Sequence, residues 1–203
     1  MSLNLWSGEF NDAVVDYQKG NYIKALNAFY VLAKNGDAEA QYNVGLICAN
    51  GKGVKADVSQ AKEWYEKAAK QGNASAAYNL ALLYQSAEKM SQQAIEQVVY
   101  WYEKAAEGGL PQAYNNLAAL YMEGKDIEQN RKKAFIYFKK AAQMGDAAAQ
   151  INIAVIYAWG AKIVRNKPKA YGYLKKALKS GKSEASVYLD RLCKESAWAC
   201  QDQ

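Results

Sequence analysis

Apolar side chains recur along this chain in blocks that have the spacing of one face of an α-helix. In one block they fall at i, i+3, i+4, i+7 and i+8, namely at Ala61, Trp64, Tyr65, Ala68 and Ala69. Polar and charged residues fill the positions between them. The pattern predicts an amphipathic helix, and its small alanines would let a neighbouring helix approach closely.

This block occurs five times at a nearly constant spacing. A glycine follows each copy and predicts that the helix ends there in the left-handed conformation. These glycines are Gly36, Gly72, Gly109, Gly145 and Gly181, which lie 36 or 37 positions apart. The hexapeptide WYEKAA is even identical in two copies, at 64–69 and 101–106. Five evenly spaced copies predict a repeat architecture.

A second helix is predicted after each glycine. Asp37, Asn73 and Asp146 are suitable N-caps, and Pro111 suits the first turn of the corresponding helix in the remaining copy. The unit is therefore a helix–turn–helix of about 36 residues, which cannot bury its apolar face alone. Stacked units can do so, and the sequence predicts an all-α, right-handed superhelical solenoid.

We expect one solenoid domain over residues 1–203. Its expected parts are an opening helix pair at 4–36, four repeats at 37–72, 73–109, 110–145 and 146–181, and a C-terminal cap at 182–203. The second repeat departs from the others, because its inter-helix segment 86–94 lacks both the Gly-x-Gly-Val turn found at 51–54 and an Asn or Asp cap.

Composition argues against catalysis. Histidine is absent, which excludes histidine-based acid–base chemistry and histidine-ligated zinc. Glu63 and Glu66 lie one helical turn apart, but the lysines around them indicate a solvated helix face. No Gly-rich phosphate loop is present, and no apolar run approaches the roughly 20 residues that cross a membrane. We expect no enzyme, no metal and no cofactor.

The net charge of +6 is unevenly placed. Residues 1–130 carry 11 Lys/Arg and 15 Asp/Glu, whereas residues 131–203 carry 15 and 5. Such asymmetry can favour an acidic partner, or the lysines can simply cover exposed helix faces with their stems. Arginine is scarce and the basic residues follow the polar helix stripes, so we do not expect nucleic-acid binding.

Three cysteines, Cys48, Cys193 and Cys200, are too few for a disulfide framework. On one continuous helix the last two would be about 10.5 Å apart, too far for a disulfide. They can pair if the last helix ends near Glu195 and the tail folds back. Two reduced thiols are the alternative. Cys48 reads as a buried free thiol, and we expect Trp198 to cover the open end of the last repeat.

At this point the chain resembles a known family. Residues 36–45 read GDAEAQYNVG, residues 51–54 read GKGV, and residues 61–69 read AKEWYEKAA. This is similar to the Sel-one-like repeat family, a relative of the tetratricopeptide repeat, over about residues 37–181. The resemblance implies an adaptor that binds other proteins, often in bacterial envelopes, secretion or signalling, without a catalytic site.

The resemblance also bears on the cysteines and on the compartment. Exported relatives often end with a comparable cysteine pair, which implies a Cys193–Cys200 disulfide and a periplasmic or exported protein. Residues 1–3 look like an expression leader, so we expect a native signal peptide to have been removed. A cytoplasmic protein with reduced thiols is the alternative.

In the tetratricopeptide relatives the first helix of each pair lines the concave face and an Asn there holds the backbone of a peptide. The resemblance therefore implies a set of partner-binding residues on these helices: the column Asn43, Asn79, Asn116 and Asn152, the preceding residues Tyr42, Tyr78 and Asn115, and Leu82. An amide both donates and accepts hydrogen bonds, so it can hold a peptide backbone. Alternatively, each Asn only bonds the backbone of the next repeat.

We therefore expect a non-enzymatic scaffold or adaptor that binds a protein or peptide segment along its concave groove. A second hypothesis is a periplasmic inhibitor, such as an immunity protein that neutralises a secreted effector. A third, less favoured, is an enzyme acting on cell-wall material, which would require a pocket with converging polar groups.

Overall fold

The computed structural model describes residues 3–86, 91–160 and 165–200. Within these ranges all regular structure is helical, which confirms the predicted all-α fold. The helices are α1 (Leu3–Gln18), α2 (Tyr22–Lys34), α3 (Ala38–Asn50), α4 (Val58–Lys70), α5 (Ala74–Gln85), α6 (Gln92–Glu107), α7 (Pro111–Glu123), α8 (Arg131–Gln143), α9 (Ala147–Trp159), α10 (Lys167–Lys179), α11 (Ala185–Glu195) and a short 3-10 helix (Ala197–Cys200).

Helices adjacent in sequence pack against each other within two compact units. The first unit is Met1–Leu110, in which α1 packs on α2, α3 on α4 and α5 on α6, while α2–α3 and α4–α5 contacts join successive pairs. The second unit is Pro111–Gln203, in which α7 packs on α8 and α9 on α10, with α8–α9 and α10–α11 contacts between pairs. Each unit is thus a stack of helix pairs.

The predicted helix boundaries are confirmed where capping side chains are described. The carboxylate of Asp37 accepts a hydrogen bond from the backbone N–H of Ala40, and Asn73 and Asp146 cap their helices in the same way. In the departing second repeat Ser91 caps α6, accepting from the N–H of Ala94 at 3.2 Å. Residues 87–90 of that segment lie outside the described residues.

The core of the first unit depends on a close approach between α3 and α4. A Cβ atom on Gly45 would lie 2.7 Å from the ring of Tyr65, and the side chain of Tyr65 is only 2% exposed. Leu32 on α2, Val44 on α3 and Leu80 on α5 are also fully buried. The small residue on α3 therefore makes room for the large residue on α4.

The C-terminal tail folds back on the last helices. Helix α11 ends at Glu195, a disulfide joins Cys193 to Cys200, and the two Cα atoms are 5.7 Å apart. The 3-10 helix contacts α10 and α11 and buries Ala199.

The expected role of Trp198 is wrong. Its side chain is 64% exposed, whereas the neighbouring Ala199 is 4% exposed. Successive side chains of a 3-10 helix point about 120° apart, and the small residue is the one that faces α10 and α11. Leu192 of α11 is fully buried and closes this end of the second unit's core.

Candidate functional site

The first helices of the repeats in the first unit, α3 and α5, present most of the predicted binding residues. Tyr42 and Asn43 lie on α3, and Tyr78, Asn79 and Leu82 lie on α5. All are partly exposed, and the side chain of Leu82 is 38% exposed. Solvent therefore reaches part of each of these side chains on α3 and α5, including the amides and the leucine.

Asn43 is held by its own helix. Its amide Nδ2 donates to the backbone carbonyl of Glu39, one turn earlier on α3, at 2.8 Å. Such a bond orients the side chain along the helix without involving another repeat. Removing this amide would leave the contacts between repeats intact.

Asn79 instead links its repeat to the preceding one. Its side chain is hydrogen-bonded to the phenols of Tyr42 on α3 and Tyr65 on α4. Burial raises the pKa of Tyr65 to about 12, and burial also raises the pKa of Tyr42. Hydrogen bonding to Asn79 lowers the pKa of both phenols and so opposes the effect of burial. Asn79 of α5 therefore connects side chains of α3 and α4.

The second unit has a bridge in the same register. Asn152 Nδ2 on α9 donates to Asn115 Oδ1 on α7 at 3.0 Å, across 37 positions. Asn79 and Tyr42 are separated by the same 37 positions. The predicted alternative for the Asn column was a bond to the next repeat's backbone. In these two cases the partner is a side chain of the preceding repeat. Asn116 is partly exposed on α7.

Two further side-chain hydrogen bonds were not predicted from the sequence. The first joins two residues of the repeat at 37–72, and the second joins the N-cap of α5 to α3. Gln71 Nε2 donates to Gln41 Oε1 at 2.8 Å, and Asn73 Nδ2 donates to Glu39 Oε1 at 2.8 Å. Gln41 is itself buried and donates to the carbonyl of Ala33 at 3.0 Å. The available signal was Gln41 itself, a polar residue among the apolar positions of α3. A buried amide requires hydrogen-bond partners, so its position predicts that other side chains or carbonyls lie nearby.

Lysines cover aromatic rings in the second unit. Lys133 Nζ lies 4.4 Å from the ring centre of Tyr121 and donates to its hydroxyl at 2.8 Å. Lys140 lies 5.2 Å from the ring centre of Tyr114. Such cation–π contacts favour the interpretation that the basic residues of 131–203 cover helix faces.

The described part of the chain holds no group of three or more His, Cys, Asp or Glu side chains placed to bind a metal ion. Glu66 is paired with Lys70 at 2.6 Å on an exposed surface. No helix among the described residues is both long and apolar enough to cross a membrane.

Known structures share this arrangement of helix pairs. A Sel1 repeat protein from Oxalobacter formigenes is 29% identical, with 90% of this chain and 74% of that chain covered and a TM-score of 0.79. Cysteine rich protein B of Helicobacter pylori is 24% identical over 67% of this chain and 97% of its own, with a TM-score of 0.52. An immunity protein from Pseudomonas aeruginosa is 20% identical over 92% and 70%, with a TM-score of 0.56.

The last two likenesses show a common fold alone, and no curated protein gives a significant match to the sequence. The repeats themselves are more informative. Four successive segments match the Sel1 repeat model, at 38–73, 74–110, 111–146 and 147–182, which together make up more than half of the chain. The chain therefore belongs to the Sel1 repeat family, whose repeats typically mediate protein–protein interactions.

Proposed function

We propose that this protein is a non-enzymatic adaptor that binds a segment of another protein along the exposed face of its first helices. The observation that carries the proposal is the pairing of an accessible amide, Asn43, with an exposed aliphatic side chain, Leu82, on the face formed by α3 and α5. Amides hold a peptide backbone and aliphatic groups bury its side chains.

The division within the Asn column sharpens this proposal. Asn79 and Asn152 are engaged between repeats, so they shape the surface and hold the helices in register. Asn43 bonds only within α3 among the contacts described, so it is the member of the column that can bind a partner at little structural cost. We therefore assign direct contact to Asn43 and Leu82.

The proposal that the protein is not an enzyme rests on two observations, the absence of histidine and the ion pair formed by Glu66. Histidine is absent from the sequence. Glu66 is exposed and neutralised by Lys70 rather than placed beside a nucleophile. An enzyme would need an acid, a base and a reacting centre in one place.

Affinity capture tests the proposal. The full chain and the double variant Asn43→Ala/Leu82→Ala are immobilised and exposed to extract from the native host, and the retained proteins are quantified by mass spectrometry at near-physiological salt. We expect the amount of at least one partner retained by the full chain to fall about tenfold or more with the variant, which corresponds to a loss of about 1.4 kcal/mol for the two contacts together.

The variant Ile136→Ala is the matched control, because Ile136 is 51% exposed on α8, a second helix of its pair. We expect it to retain every partner, and we expect the double variant to keep its melting temperature. If the double variant retains the same partners in the same amounts as the full chain, the proposed surface is wrong.

Inhibition of a secreted effector is a second candidate. The Cys193–Cys200 disulfide is typical of an oxidising compartment such as the periplasm. Two of the similar structures are immunity proteins from Pseudomonas aeruginosa, at 20% identity. An inhibitor would capture one stoichiometric hydrolase with a Kd near 1 nM, about 12 kcal/mol. An adaptor would capture several proteins more weakly.

A further inference from the structure

A groove follows one side of α2 in the first unit. Three adjoining depressions of ≈ 640, ≈ 480 and ≈ 640 Å³ succeed one another along this helix. The first and second share Asn27, and the second and third share Tyr30 and Gln60. Because neighbouring depressions share lining residues, they adjoin one another along α2, and we call them together the groove. The rings of Tyr30 and Trp64 make an edge-to-face contact in the third depression, with 5.6 Å between their centres.

One wall of the groove is a single stripe of α2. Ile23, Asn27, Tyr30 and Lys34 are spaced by four, three and four residues, so they share one helix face. Ile23 is 61% exposed and Tyr30 is 41% exposed. The stripe is about 16 Å long at ~1.5 Å per residue. That length suits about five residues of extended peptide at ~3.3 Å each.

The opposite wall is formed by the turn before α4 and by α4 itself. Val54 of the turn is 37% exposed, and Gln60 and Trp64 of α4 line the groove further along. The walls thus combine aromatic and aliphatic side chains with the amides of Asn27 and Gln60. This combination can bury apolar side chains of a peptide and bond to its backbone.

In the first repeat, a small residue lines the middle depression at a position where the other repeats carry a large one. Cys48 lines the depression, and the equivalent positions of the later repeats hold Tyr84, Tyr121 and Tyr157. Cys48 is 5% exposed, and its Sγ contacts Gln60 Oε1 at 3.8 Å. A tyrosine in place of Cys48 would occupy part of this space.

The charge of the groove is positive although the unit around it is acidic. Residues 1–110 carry 10 Lys/Arg and 12 Asp/Glu. Lys34, Lys55 and Lys67 line the groove, against Glu63 and Asp57. The Asp57 carboxylate already caps α4 by accepting from the N–H of Gln60. The groove also touches Lys24, but that ammonium is bonded to Asp16 at 3.0 Å.

Two of these lysines are held at the groove by aromatic rings. Lys34 Nζ lies 4.9 Å from the ring centre of Tyr30, and Lys67 Nζ lies 4.2 Å from that of Trp64. Both rings and both lysines line the same depression. A carboxylate entering there meets these two ammonium groups against the single carboxylate of Glu63, beside apolar rings. This balance is favourable for acidic residues that alternate with apolar ones.

We propose that this groove is a second docking site, which binds an acidic peptide segment carrying apolar side chains. The site is distinct from the surface of Asn43 and Leu82. On α3, Gln41, Val44 and Cys48 face the groove, whereas Asn43 lies about half a turn away at ~100° per residue. One protein could thus hold two partners on opposite sides of α3.

A phage-displayed library of random peptides of about 12 residues, longer than the groove at ~3.3 Å per residue, provides the probe. The library is selected on the full chain after depletion on the variant Lys34→Gln/Lys67→Gln. We expect enrichment of sequences rich in Asp and Glu alternating with Leu, Phe or Trp. Their affinity, measured by fluorescence anisotropy, should fall about tenfold or more in the variant, since two charge-assisted contacts are lost, and should fall with salt.

Helix α6 supplies matched controls, because Lys104 Nζ lies 5.9 Å from the ring centre of Tyr100 and neither residue lines the groove. Tyr30→Ala should weaken binding, whereas Tyr100→Ala and Lys104→Gln should not. The double variant Asn43→Ala/Leu82→Ala should also leave the affinity for these peptides unchanged, which distinguishes the groove from the binding surface proposed on α3 and α5. Failure to enrich acidic peptides, equal weakening by the controls, or dimerisation through the groove in sedimentation experiments would overturn the proposal.

Discussion

Gln41 and Gln150 occupy equivalent positions in the first and fourth repeats, and both are 5% exposed. Gln41 Oε1 accepts from Gln71 at 2.8 Å, whereas Gln150 Oε1 is buried without a hydrogen-bond partner among the described residues. The position equivalent to Gln71 is Ser180, whose side chain is shorter and has no amide group. The fourth repeat therefore lacks a donor that the first repeat has.

The substitution Ser180→Gln should restore this donor. Ser180 ends α10 with φ −83° and ψ 10°, close to the φ −90° and ψ 5° of Gln71. We expect the free energy of unfolding to rise by about 1 kcal/mol, the net value of one intramolecular hydrogen bond. Urea denaturation measures the change. Ser180→Ala should have no such effect, and an equal rise in that control would contradict the explanation.

The buried phenol of Tyr65 predicts a pH dependence of stability. Burial raises its pKa to about 12 from 10.0, so the folded state favours the neutral phenol. The stability that this buried phenol contributes is fully present below about pH 10, where Tyr65 is neutral in both the folded and the unfolded chain. It is lost as pH rises towards 12, because the unfolded chain ionises first. The loss amounts to at most about 2–3 kcal/mol.

Alkaline denaturation of the full chain and of Tyr65→Phe isolates this contribution from the other tyrosines and lysines. The stability of the full chain should fall more steeply between pH 10 and pH 12 than that of the variant. Parallel curves over this range would show that Tyr65 ionises as easily in the folded protein as in the unfolded chain.

Among the helices, two glycines inside helices should respond oppositely to the same substitution. Gly45 on α3 faces the ring of Tyr65 at 2.7 Å from a Cβ, whereas a Cβ on Gly172 of α10 would meet nothing within 4 Å. Alanine is favoured over glycine in a helix by about 1 kcal/mol. The outcome therefore depends on whether the neighbouring helix leaves room.

We expect Gly172→Ala to raise the free energy of unfolding by about 0.5–1 kcal/mol and Gly45→Ala to lower it by about 1–3 kcal/mol, since overpacking displaces a buried ring. Thermal and chemical denaturation of the two variants provide the measurement. A stabilised Gly45→Ala variant would mean that α3 and α4 separate more easily than the packing of Tyr65 indicates.

The helices were predictable because the same apolar spacing occurs five times and glycines or capping residues mark the ends. The partners of Asn79 and Asn152 were not, because a hydrogen bond across 37 positions depends on how two helix pairs stack. The prediction that Trp198 covers the end of the last repeat was wrong for a related reason. A helix of four residues is too short to show a periodic pattern that would indicate its buried face. The groove along α2 was not predictable either, because it depends on how residues of α2, α3 and α4 pack together.

For the molecule as a whole, the redox state of the tail is the most direct test of its compartment. The structure joins Cys193 to Cys200 and leaves Cys48 as a buried free thiol, whose pKa is raised by burial. We predict that intact mass increases by two hydrogens on reduction. Iodoacetamide should modify one cysteine in the unfolded, unreduced chain and three after reduction. Three modified cysteines without reductant would instead indicate a reduced protein.

The bridges that join Asn79 to Tyr42 and Asn152 to Asn115 have an evolutionary consequence. Both connect positions one repeat length apart. When a gene segment encoding one whole unit is duplicated or lost, each new boundary again brings an Asn opposite the acceptor position of its neighbour. The acceptor can then drift between a phenol and an amide, since either oxygen receives the same proton. The number of repeats in such a protein can thus change during evolution without a new kind of contact between neighbouring repeats.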